Sequence, residues 1–207
     1  TVFDGFFARY NSDGTLDTSY DGDGFRPTGI GNGLRFGDCA QQSGKVYCAG
    51  SYTTNYVLGR LNSDGTVDTN FGNTGFITVD VGAGATARSI AVASDGARIY
   101  IGGFRNPSAT DLTKEELVIL AYKSDGTPEA GFGDNGKVVR DLGTNLSPSS
   151  LAVAQDGSIL FAGGAGLTFP EKKIAIGKLN AQGMSETSFG AEGTVTHDQS
   201  HVKDLAL

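Results

Sequence analysis

The sequence predicts an all-β, propeller-like array of four-stranded antiparallel meander blades, about three and a half of them. Three observations carry this. Glycine supplies 32 of the 207 residues, about twice the usual share, and without a Gly-X-Y period this is a turn signal, not a collagen. A glycine-turn phrase recurs at 14, 65, 126 and 183, at intervals of 51, 61 and 57 residues, the size of a propeller blade. Between those turns lie short apolar runs of strand length, with no alternation of strands and long helices that would signal a parallel α/β fold.

The elements follow in order. The chain opens on a third strand, 5–10, and the first phrase, Asn11-Ser12-Asp13-Gly14-Thr15-Leu16-Asp17. The phrase returns as Asn62-Ser63-Asp64-Gly65-Thr66-Val67-Asp68, then as Lys123-Ser124-Asp125-Gly126-Thr127, and in weakened form as Asn180-Ala181-Gln182-Gly183. Each is read as a three-residue hairpin turn with the glycine in the left-handed region and the aspartate supporting it. Strands 56–58, 117–122 and 174–176 precede the later turns. A fourth strand follows each aromatic-Gly turn, at 75–79, 136–139 and 193–196. The first two strands of each blade are a hairpin, with Ser43-Gly44, Asp95-Gly96 or Asp156-Gly157 at the bend. One helical turn is expected at 113–117, where Thr113 and Glu116 have capping-box spacing. The domain is 1–207, with repeats of about 5–54, 55–115, 116–172 and 173–207. The segment 202–207 resembles the first strand of another hairpin, so a four-blade ring would lack a strand. The open edge then calls for a longer chain or a second copy, a homo-oligomer, to cover it. With no start methionine or leader at Thr1, the sequence reads as a mature or excised piece.

These phrases, together with Ala91-Val92-Ala93-Ser94-Asp95-Gly96 and Ala152-Val153-Ala154-Gln155-Asp156-Gly157, resemble the bacterial delta-sixty propeller repeat. The resemblance spans essentially the whole chain and fades in the fourth copy, where Gln182 and Glu186 replace aspartates. It implies a secreted or cell-surface tandem-repeat module, and it brings no catalytic residues.

Cys39 and Cys48 are placed by register. About a two-residue Ser43-Gly44 turn, Gln42 faces Lys45, Ala40 faces Tyr47, and Cys39 faces Cys48 on a non-hydrogen-bonded pair, close enough for a disulfide. In copies two and three, Ala91 with Ile101 and Ala152 with Phe161 are expected at these places. Two buried thiols are the alternative; a disulfide would put the protein outside the reducing cytosol.

Tyr20, Phe71, Phe132 and Phe189 occur once per repeat before a Gly or Asp, and are read as structural anchors between blades. Asn11, Asp13, Asp17, Asn62, Asp64 and Asp68 offer oxygen ligands, so calcium is the one cofactor weighed against the turn reading; no other is expected. Gly131-Phe132-Gly133-Asp134-Asn135-Gly136 fits G-x-G-x-x-G, but a strand follows it where a dinucleotide site needs a helix. A net charge of −7 without a basic block argues against nucleic acid. No apolar run has the length of a membrane span.

Hydrolase motifs such as G-x-S-x-G and H-E-x-x-H are missing from the sequence. The reading is therefore a non-enzymatic surface or fibre recognition and adhesion scaffold. It would hold a glycan or protein through the loops between second and third strands. Tyr52, Arg105, Asn106, Asp111, Lys114 and Phe169 are the candidate contacts. The alternatives are a propeller-type carbohydrate hydrolase or lyase with acidic residues at the central channel, and a purely structural repeat assembling through its open edge.

Overall fold

The computed structural model describes residues 4–110, 113–143, 147–165 and 173–198. Fourteen strands and no helix occur among them, and no helix is long and apolar enough to cross a membrane. A two-stranded sheet comes first, β1 (Asp4–Ala8) with β2 (Phe25–Asn32). Blade one follows as β3 (Arg35–Gln42), β4 (Lys45–Tyr52), β5 (Asn55–Leu61) and β6 (Phe76–Asp80). Blade two is β7 (Thr86–Val92), β8 (Arg98–Arg105), β9 (Glu116–Lys123) and β10 (Lys137–Arg140). Blade three is β11 (Ser147–Val153), β12 (Ile159–Ala165), β13 (Lys173–Leu179) and β14 (Thr194–His197). Each blade is an antiparallel meander paired in chain order. The repeat phase drawn from the sequence cuts each sheet between its second and third strands.

The first strands, β3, β7 and β11, lie side by side. Their neighbours stack face to face, and this is why the middle strands read as continuous apolar runs: in β9, Val118 and Leu120 face blade one while Leu117, Ile119 and Ala121 face blade three. Two cores result, one in each gap between blades. Tyr56 of β5 crosses the first gap, donating its hydroxyl to the carbonyls of Thr86 (3.2 Å) and Phe104 (3.1 Å). Burial raises that phenol well above its ordinary pKa.

The phrase turns are as expected. Gly14, Gly65, Gly126 and Gly183 have φ of +83°, +91°, +89° and +79°. In the second copy the Asn62 amide bonds the Thr66 carbonyl at 2.8 Å, while Asp64 accepts the Thr66 amide (2.9 Å) and hydroxyl (2.7 Å). In the fourth copy, with Gln182 in the aspartate's place, Asn180 Oδ1 takes over by accepting the amides of Gln182 and Met184, both at 3.0 Å.

Cys39 and Cys48 face each other and form a disulfide with Cα atoms 4.1 Å apart. Ser43 and Gly44 both have positive φ, +50° and +73°, the geometry of a tight two-residue hairpin turn. The equivalent pairs need correcting: Ile90 faces Ile101 and Leu151 faces Phe161. Longer bends, closed by Ala93 N to Arg98 O and Ala154 N to Ser158 O, shift the first strand by a residue relative to the Ser43-Gly44 turn. The helical turn at 113–117 is not there. Glu116 opens β9 opposite Arg105 and pairs with it at 2.9 Å, so the sheet captures the segment. Residues 202–207 lie outside the described residues.

Candidate functional site

Each first strand carries a β-bulge, between Phe36 and Asp38, Ala87 and Ser89, and Pro148 and Ser150. The bulged residues are Gly37, Arg88 and Ser149, and all three line one cavity of about 530 Å³. The bulge is readable in the facing strand. A Cβ on Gly50, Gly103 or Gly163 would come within 2.5, 2.0 and 2.1 Å of the carbonyl oxygens of Arg35, Thr86 and Ser147, so only glycine lets the strands approach there. The residue after the first and second bulges ties blade to blade. Asp38 Oδ2 accepts the Ile90 amide at 3.1 Å, and Ser89 Oγ accepts the Leu151 amide at 3.0 Å.

The cavity opens at the end of the sheets where the loops between second and third strands lie, and Ser51 and Thr53 join its wall. Its charged lining residues are Arg35 and Arg88, both exposed. Arg88 lies over the Phe104 ring at 5.2 Å. Glu115 is close enough to Arg88 to feel its charge; burial raises that carboxyl, outweighing the downward pull of the guanidinium. The site thus offers two guanidinium groups ringed by Ser51, Thr53, Thr86 and Ser149, groups suited to a carboxylate- or hydroxyl-bearing ligand.

The sequence-based candidates fare unequally. Tyr52 ends β4 at the same end of the sheet and is half-buried. Arg105 ends β8, bound to Glu116 and to the Val81 carbonyl (3.1 Å). Asn106 is buried and donates to the Lys114 carbonyl at 2.6 Å, a loop brace and not a free contact. Lys114 is exposed. Asp111 and Phe169 lie outside the described residues. Arg35 and Arg88 were not among the candidates; the glycines facing the bulges are the one sequence signal for this place, and it was not read.

The six calcium candidates make bonds within the fold, the four aspartates through their carboxylate oxygens. Asp13 and Asp64 are held below the usual carboxylate range by the hydroxyl and amide of Thr15 and Thr66. Asp17 is held down first by the Ser19 hydroxyl and amide and then by Arg9, 2.7 Å away. Asn11 and Asn62 donate to the hydroxyls of Thr15 and Thr66 at 3.1 and 2.8 Å. Asp68 is buried between Lys45 (2.8 Å) and Arg60 (3.0 Å); burial alone would raise its carboxyl, but the two cations outweigh this and the net direction is down. Among the described residues no three His, Cys, Asp or Glu side chains are grouped to hold a metal.

The anchors define a second, repeated contact. Phe71 and Phe132 are fully buried and Tyr20 nearly so, each seated on the turn glycine of the following blade. A Cβ on Gly65 would meet the Tyr20 ring at 2.1 Å, and one on Gly126 or Gly183 would meet Phe71 or Phe132 at 3.2 or 3.1 Å. The amides of Gly72 and Gly133 bond the carbonyls of Asp125 (3.1 Å) and Gln182 (2.8 Å) across the same joints. Phe189 departs from the expectation: it is only half-buried, because among the described residues no turn is seated on it.

Fold and joints together define a β-propeller-like repeat protein. Residues 1–20 and 41–71 match the sequence profile of a family described as a domain of unknown function (DUF5122) beta-propeller, which makes the chain similar to a propeller-type repeat family over those segments. No curated protein matches the chain.

Proposed function

We propose that the chain is a non-enzymatic recognition module of the delta-sixty type, working outside the cytosol and holding an anionic glycan or a protein carboxylate at the mouth between its blades. The observation that carries this reading is the cavity lined by Arg35, Arg88 and hydroxyl groups at the loop end of the sheets. Such openings on a rigid scaffold are where ligands bind. The Cys39–Cys48 disulfide supports an oxidising compartment, and adhesion at a bacterial surface is the role that fits a multivalent repeat.

A second reading, a polysaccharide hydrolase or lyase, has the raised Glu115 carboxyl beside Arg88 in its favour. One experiment separates the two. Neutral and acidic polysaccharides are arrayed for binding and assayed in parallel for released reducing ends or unsaturated products. Binding without turnover, lost in Arg35→Gln/Arg88→Gln, is expected; product release that vanishes in Glu115→Gln would transfer the protein to the enzymes.

A further inference from the structure

The joints between blades have two halves, and the described residues leave one half unused at each end. The donor half is a phrase turn; the acceptor half is an aromatic corner, Tyr20-Asp21 in the first copy and Phe-Gly in the others. Three joints are complete: the turns at Gly65, Gly126 and Gly183 sit on Tyr20, Phe71 and Phe132. The turn at 11–15 has the same internal bonds, with Asn11 N to Thr15 O at 2.8 Å and Gly14 N to Asn11 O at 3.0 Å. Yet a Cβ on Gly14 would find nothing within 4 Å. At the other end, Phe189-Gly190 is folded like its predecessors: Phe189 N bonds Glu186 O at 2.8 Å, as Phe71 N bonds Asp68 O at 2.9 Å.

The faces beside these halves match the same pattern. Phe6 is 62% and Tyr10 61% exposed, while their counterparts one blade on, Val57 and Leu61, are 0% and 2%. On β13 the inward positions Ala175 and Leu179 are buried, whereas the outward positions Ile174, Ile176 and Lys178 are half-exposed. The cation agrees as well. Arg9 reaches the Ser63 carbonyl at 2.6 Å and Arg60 reaches the Ser124 carbonyl; Lys178 holds the same repeat position, which is Ala121 in the copy between, and is half-exposed.

We infer that a second copy of this chain docks head to tail, seating its 11–15 turn on Phe189-Gly190 with Lys178 on the Ser12 carbonyl and Phe6 and Tyr10 against Ile174 and Ile176. The contact joins unlike surfaces, so it can repeat, closing a ring or extending a fibre. Within each copy the three existing joints already show the geometry. The inference stands apart from the ligand reading, since it uses opposite elements of the fold.

The test is sedimentation velocity on the 207-residue chain from about 1 μM to about 1 mM, a span that covers weak interfaces. Gly14→Asn keeps a left-handed turn but adds a side chain where a seated turn has no room, and Phe189→Arg blocks the acceptor. The unchanged chain is expected to gain mass with concentration, and each variant alone to stay monomeric. An equal mixture of the two should return dimers and nothing larger, because one sound head and one sound tail remain. Tyr10→Asp with Lys178→Glu repeats the experiment through other atoms, should either first variant fail to give a cooperative melt. A chain that is monomeric throughout, whether its acceptor is filled from within or stays bare, overturns the inference. So does assembly indifferent to the blocks, or a mixture that fails to pair.

Discussion

Phe132 and Phe189 hold the same position in successive repeats, and their surroundings differ by one element. Phe132 has the 180–184 turn of the following blade on it, with the Gln182 carbonyl bonded to the Gly133 amide, and is excluded from water. Phe189 keeps its own corner but has no turn above it among the described residues, and stays half-exposed. Burial here is a property of the joint, not of the residue: each repeat carries half a contact and is stabilised only by its neighbour, as in other stacked arrays.

The largest break in the comparison should come from the rings. Phe132→Ala is expected to cost about 3–5 kcal/mol, the usual range for emptying a full aromatic site, and Phe189→Ala about 1 kcal/mol for a partly wet one. Urea midpoints on dilute protein check this, and equal shifts would mean that Phe189 is covered in solution. Next comes the ion cluster of the second joint. Asp68→Asn should cost about 3 kcal/mol, because it strands Arg60 in a buried place. The Asp68 carboxyl lies below its unfolded value, so its contribution is present above about pH 4 and fades as pH falls through the folded pKa. The variant should therefore lose less stability on acidification than the parent, and parallel acid profiles would refute the pairing.

Cys39→Ala/Cys48→Ala should lower stability by about 2–3 kcal/mol through the freed short loop, whereas the matching pairs Ile90–Ile101 and Leu151–Phe161 hold their hairpins by packing alone. Thermal melts with and without reductant give the number, and a melt indifferent to reductant would show that the bond adds nothing. The smallest contrast is between turns. Gly126→Ala and Gly14→Ala share the left-handed strain of about 1–2 kcal/mol, but only at Gly126 would the methyl also meet the Gly72 amide, at 2.8 Å. A further loss of about 1 kcal/mol or more at Gly126, read from the same melts, is the expected difference.

Much of the architecture was legible because glycine marks each turn where the backbone needs it. The spacing of 14, 65, 126 and 183 gave the blades, and Ser43-Gly44 gave the cysteine register residue by residue. The bulges were not legible in their own strands, since a ladder irregularity leaves the alternation of Phe36, Asp38 and Ala40 looking ordinary. Nothing in its own strand therefore singles out Arg88, although Gly103 across from the bulge records the close approach. Asn106 misled in the opposite way: a polar loop residue resembles a ligand contact in sequence, but here its backbone amide bonds the Ala83 carbonyl and its side-chain amide donates to the Lys114 carbonyl.

The bulged position also separates inheritance from specialisation. Residues 37, 88 and 149 stand outside the ladder, and the three blades hold a glycine, an arginine and a serine there; at Gly37 a Cβ would meet the Ala87 carbonyl oxygen at 2.4 Å, so that slot is closed to a side chain while the other two carry one. Duplicating a unit multiplies such slots around one opening, so new selectivity can accumulate at those with room for a side chain while the scaffold is copied unaltered.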